Sequence, residues 1–182
     1  NSIFTTNFDD LINEAFYQLS NRRPIVCAHD SSVHSISVTS QRPKIIKLHG
    51  DYLFEDIKST LRETESLENN TKDKLIEFCK EYGLIVVGYS GNDRSIMDTL
   101  EYLIKSESYL KNGIYWCMRE DDEINPKLKS FFWKDGVYPV IIKGFDEFFN
   151  NLHRELLSST RVFNKYGESK QQKIIQQIIR NK

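Results

Sequence analysis

Three clusters of chemistry-bearing side chains follow directly behind apolar runs: Thr5-Thr6-Asn7-Phe8-Asp9-Asp10, His49-Gly50-Asp51 and Gly88-Tyr89-Ser90-Gly91-Asn92-Asp93. A neutral imidazole such as His49 can accept a proton near physiological pH. An amide such as Asn7 can orient water without competing for its protons. Gly88-x-Ser90-Gly91 can let backbone approach a phosphate, although a short Gly-rich match is a weak signal alone. Each cluster also has a purely structural reading. Asp9 or Asp10 can cap one helix and Asp93 another by accepting orphan backbone N–H groups. Gly50 and Gly88 can serve as turn residues, and His49 can be a satisfied structural histidine.

The elements that would position these clusters are visible in the hydrophobic pattern. Five short apolar runs read as buried strands: Ile3–Thr6, Lys44–Leu48, Leu84–Tyr89, Ile114–Met118 and Val137–Ile142. Continuous runs such as Leu84-Ile85-Val86-Val87 suit strands covered on both faces, as in a parallel sheet. Between them lie helical patterns. Asp10–Leu19 groups Leu11, Ile12, Ala15, Phe16 and Leu19, Thr71–Tyr82 groups Leu75, Phe78, Cys79 and Tyr82, and Arg94–Ser106 groups Ile96, Leu100, Leu103 and Ile104. Strands alternating with helices predict an α/β fold, a Rossmann-like open parallel sheet with helices on both faces. Ligands bind such sheets outside the carboxyl ends of the strands. All three polar clusters then fall on one edge, which says more than any cluster alone.

Tyr52 to Asn70 is polar and breaks this rhythm, as a helix-containing excursion or lid would. Phe145–Leu157 reads as a closing helix. Residues 1–157 therefore form one domain, and 158–182 are a helical tail or a linker to a further domain, with a helix over Ser169–Lys182. The chain starts at Asn1 without a Met and runs at once into a strand, which reads as a domain lacking its N-terminal portion.

Composition narrows the function classes. Hydrophobic residues make up 39% of the 182 residues and charged residues 28%, an ordinary globular balance. Lys plus Arg (25) nearly match Asp plus Glu (26), so the basic footprint of a dedicated nucleic-acid binder is missing. No apolar run approaches a membrane span and no signal peptide is visible. Cys27, Cys79 and Cys117 are far apart, which fits neither a disulfide framework nor a zinc knuckle and suits a reducing cytoplasm.

The three clusters, taken in order, resemble the SIR2-like (sirtuin-type) family, and specifically its bacterial branch found in antiphage defence systems. The matching elements are Thr5-Thr6-Asn7-Phe8-Asp9, Lys47-Leu48-His49-Gly50-Asp51 and Val87-Gly88-Tyr89-Ser90-Gly91-Asn92-Asp93. The likeness runs on through Tyr115-Trp116-Cys117 and Phe145-Asp146-Glu147-Phe148, covering roughly residues 1–157. It implies NAD as substrate, with Asn7 positioning water at the nicotinamide ribose and His49 as the base. Thr5, Thr6 and Asp9 would hold the nicotinamide end or the Asn7 loop, and Gly88, Ser90 and Asn92 would line the ribose and phosphates. The family's opening Gly-rich pyrophosphate element would precede Asn1, so this stretch alone is expected to be inactive. The zinc module of protein-deacetylating members is absent, since no cysteines here have Cys-x-x-Cys spacing, and no metal is expected.

The resemblance therefore implies an NAD+ hydrolase with water as acceptor, a cytoplasmic effector of bacterial antiphage defence. It would act as a homo-oligomer, with a C-terminal sensor or oligomerisation domain or a partner protein. Two alternatives stay open: an NAD-dependent protein deacylase, and a non-catalytic module that senses NAD or ADP-ribose.

Overall fold

The computed structural model describes residues 2–49 and 69–163, with side chains through 157. Lys44-Ile45-Ile46-Lys47 is the strand on which the first half of the chain is built. All four of its residues are buried, because it is flanked on both sides by other strands. We number elements in chain order: β1 (Ser2–Thr5), α1 (Leu11–Leu19), β2 (Ile25–Cys27), α2 (Asp30–Val33) and β3 (Lys44–Lys47). After residue 68 follow α3 (Asn69–Glu81), β4 (Leu84–Val87), α4 (Arg94–Ile104), β5 (Ile114–Met118), α5 (Pro126–Phe131), β6 (Val137–Ile141) and α6 (Phe145–Phe163). The excursion expected over Tyr52 to Asn70 lies outside the described residues, apart from Asn69 and Asn70, which open α3. The helix expected over Ser169–Lys182 lies outside them entirely.

The strands form two three-stranded sheets, ordered β1-β3-β2 and β4-β5-β6. β1 and β2 both pair with β3 in parallel, and β4 pairs with β5 in parallel. This is a Rossmann-like α/β arrangement, in two ladders rather than the one continuous sheet expected. β2 is the strand that periodicity does not reveal. It is three residues long and follows Pro24, and its pairing with β3 supplies what so short a run lacks by itself.

The second sheet departs from the expected burial. Leu84, Val86, Ile114, Trp116 and Val137 join the core, whereas Ile85, Tyr115 and Tyr138 on the alternate face remain 43–49% exposed. Tyr115 and Tyr138 stack there with ring centroids 5.2 Å apart. The core centres on Trp116, whose ring meets Phe131 and Phe132 edge-on at 6.1 and 6.0 Å and Tyr89 at 5.7 Å. Truncating an aromatic so placed typically costs about 3–5 kcal/mol.

Helix faces follow the expected pattern in α3 and α4. Leu75, Phe78 and Cys79 are buried, as are Ile96, Leu100 and Leu103, while Tyr82 falls beyond α3 and is half exposed. In α1 the face is rotated. Leu11, Ala15 and Leu19 are exposed, and Ile12, Asn13 and Phe16 turn inward. Asn13 bonds Asp10, and the buried Lys47 grips the same carboxylate, so the first turn is anchored through its polar side. The described residues fall into two compact units, one ending at Val140 and the other beginning at Ile141. In the second, α6 carries Asp146 and Glu147 in its first turn, where they complement the helix dipole.

Candidate active site

Parallel pairing fixes where the first two clusters emerge. Thr5 is in register with Lys47, and the Leu48 N–H donates to the Thr5 carbonyl at 2.8 Å. Asn7 and His49 each lie two residues beyond that matched pair, so they leave adjacent strands at the same carboxyl edge. Asn7 is exposed, and its N–H donates to Thr5 Oγ1 at 3.1 Å, folding the chain back over the strand end. Thr6 is half-buried. Asp9 Oδ1 accepts the Leu11 N–H at 3.1 Å, the helix-entry role open to it on sequence grounds.

Lys47 ties this loop to the sheet. Its ammonium lies 2.9 Å from Asp10 Oδ1 and donates to the Phe8 carbonyl at 3.2 Å, with the side chain only 1% exposed. An ammonium in so dry a position is tolerable only with such partners. The carbonyl it holds belongs to the residue next to Asn7, so a residue of β3 fixes the exit of β1.

His49 is also buried, at 3% exposure, and its Nε2 lies 3.1 Å from Asp93 Oδ1. That contact joins the end of β3 to the loop behind β4. Within this loop Gly88 adopts φ +67° and Gly91 φ +72°, backbone that glycine accepts without penalty. A Cβ added at Gly88 would meet no atom of the described residues within 4 Å. Tyr89 turns the other way, onto Trp116. Burial first, and then the Asp93 carboxylate beside it, push the Tyr89 phenol well above its ordinary range.

Ser90 and Asn92 are exposed and fastened from the side. The Asn125 amide donates to the Ser90 carbonyl at 3.0 Å and to Asn92 Oδ1 at 3.1 Å, while its own oxygen accepts the Leu128 N–H at 2.8 Å. Asn125 thus caps α5, with Pro126 at the first helical position, and braces the Gly88–Asp93 loop.

Sequence reasoning missed these bracing residues, yet two of them leave a signal in the chain. Lys47 interrupts the apolar run Ile45-Ile46-x-Leu48, and a lysine within a buried strand needs a buried partner. Asn125-Pro126 is an N-cap signature preceding a helix too short to show periodicity. Among the described residues, no group of three or more His, Cys, Asp or Glu side chains is placed to hold a metal ion. No described helix is long and apolar enough to cross a membrane.

An amide, an imidazole and a glycine-containing loop thus share the carboxyl edge of parallel strands, where open α/β sheets bind their ligands. The chain belongs to the SIR2-like family: the SIR2-like domain matches residues 1–139, which takes in all three polar clusters. That family includes NAD-dependent enzymes. No curated protein matches the chain.

Proposed function

We propose that this chain is the catalytic domain of an NAD+ hydrolase that cleaves the nicotinamide–ribose bond with water as acceptor. The observation that carries the reading is the emergence of Asn7 and His49 at matched positions on adjacent parallel strands of a SIR2-like chain. Nicotinamide departs as a neutral ring while positive charge develops at the anomeric carbon. Asn7, exposed at the strand end, orients the attacking water, and His49 accepts its proton. General-base help of this kind contributes about 10²–10⁴-fold. The lack of a side chain at Gly88, in left-handed backbone, suits close approach of the dinucleotide's ribose and phosphates, with Ser90 and Asn92 alongside. Thr5 and Thr6 support the nicotinamide end through the Asn7 turn.

Water rather than acyl-lysine is the acceptor in this reading. No two of Cys27, Cys79 and Cys117 have the Cys-x-x-Cys spacing of the zinc module found in deacetylating members, which supports this reading. The likeness of the three motifs to the antiphage branch supports a role as a cytoplasmic effector in bacterial defence. Its activity would be controlled by a further domain, a partner protein or self-assembly.

The test is nicotinamide release from NAD by the complete natural protein, with Asn7→Ala and His49→Ala as controls. Release abolished by both substitutions is expected. Release that needs an acylated peptide favours a deacylase, and tight NAD or ADP-ribose binding without turnover favours a sensor. Either result overturns the proposal.

A further inference from the structure

We infer that Asp93 is a positioning residue for His49: its carboxylate keeps the imidazole proton on Nε2, orients the ring and makes Nδ1 the basic nitrogen. Its catalytic consequence rests on the reading of His49 as the proton acceptor, whereas the tautomer itself does not.

Asp93 leaves a helix-capping bond unmade. Asp93 occupies the N-cap of α4, where a carboxylate ordinarily accepts an N–H of the first turn. Its backbone does the ordinary thing, with φ −75°, ψ 110° and its carbonyl accepting the Met97 N–H at 3.0 Å. Its side chain makes no cap bond. Instead Oδ1 lies 3.1 Å from His49 Nε2, on a different element 44 residues away in sequence. A short carboxylate diverted from its local partner to a distant imidazole is a placement that local helix stability does not explain.

The surroundings hold it there. The left-handed turn at Gly91 carries the chain from Tyr89 to Asp93. Tyr89 is pinned on Trp116 with its phenol beside the same carboxylate. Lys47, two residues before His49, directs its ammonium to Asp10 and the Phe8 carbonyl. His49 is 3% exposed and Asp93 20%, so the contact sits where screening by water is weak.

The contact is a close approach of charge rather than an aligned hydrogen bond; a carboxylate 3.1 Å away favours the proton on Nε2, and the neutral ring then carries its lone pair on Nδ1. In the proposed hydrolysis, water oxygen bonds to the anomeric carbon. The carbon–nitrogen bond breaks with its electron pair passing to the nicotinamide nitrogen, and the water proton moves to Nδ1. The imidazolium so formed has its counter-charge already in place, the logic of an orienting carboxylate behind a basic histidine.

Two measurements test this. Long-range ¹H–¹⁵N correlation of the His49 ring in the 182-residue chain should show the Nε2–H tautomer, and Asp93→Ala should lose that exclusive form. In the complete natural protein, Asp93→Ala should lower kcat by about 10²-fold, the lower end of what general-base help contributes, with KM little changed. Asp93→Asn preserves shape without the charge and carries the test should the alanine variant not fold. It should also loosen the tautomer and lower kcat. An unchanged tautomer in the substituted chain overturns the inference, as does wild-type kcat. If no form of the protein cleaves NAD, the hydrolase reading falls, and the ring spectrum still decides the role of Asp93.

Discussion

Replacing Lys47 by Met probes the fastening of the Asn7 loop, because Met keeps the length and apolar volume of the side chain while removing its charge. Among the described residues, two partners lose their donor: Asp10 Oδ1 at 2.9 Å and the Phe8 carbonyl at 3.2 Å. Removing one member of a buried ion pair costs about 3–5 kcal/mol, because the other charge stays behind uncompensated. Asp10 retains Asn13 Nδ2 at 2.6 Å and is 17% exposed, which places the loss near the low end, about 3 kcal/mol. For a chain of this size that corresponds to a Tm lower by about 6–12 °C. Urea unfolding of wild type, Lys47→Met, Asp10→Asn and the double variant gives the full cycle. The double variant should be less destabilised than the sum of the singles by about 2 kcal/mol, since it leaves no orphaned charge. A Lys47→Met loss below about 0.5 kcal/mol, or additivity within that margin, would refute the reasoning.

Other substitutions and conditions follow from the same geometry. Gly88→Ala meets no atom of the described residues but forces alanine into left-handed backbone, so denaturation should show a loss of about 1–2 kcal/mol. Asn125→Ala removes the cap of α5 and the brace on Ser90 and Asn92. It should cost about 1 kcal/mol in the same assay and raise KM for NAD more than it lowers kcat. Burial pushes the Cys79 thiol from 9.0 up to about 12, so the folded state holds this proton more tightly than the unfolded one. The resulting stability is fully present below about pH 9 and is lost as pH rises toward 12, which base titration followed by circular dichroism will read. Cys79→Ser should flatten part of that slope.

Much of the scaffold is legible in the chain itself. Lys44–Lys47, Leu84–Val87 and Ile114–Met118 are readable as strands because continuous apolar runs bounded by polar clusters leave little choice. α3 and α4 are readable because their apolar residues recur at helical spacing. What escapes is decided by distant partners. β2 exists through its pairing with β3, not through the propensity of Ile25-Val26-Cys27. The inward side of α1 is chosen by a lysine on β3 that engages Asp10 and, through it, Asn13. The direction of the Asp93 side chain depends on where β3 ends, which no local pattern encodes. For the site, sequence places Asn7, His49 and the Gly88–Asn92 loop along strand ends. What Lys47, Asp93 and Asn125 each brace becomes legible only when the partner's position in space is known.

The central claim is that Asn7 and His49 do chemistry on NAD. The most direct measurement follows nicotinamide release by the complete natural protein beside its Asn7→Ala and His49→Ala variants, each first verified to be folded. Release by the wild type and loss of about 10²-fold or more in each variant are expected. Release at the wild-type rate from folded variants lacking either side chain would contradict the claim.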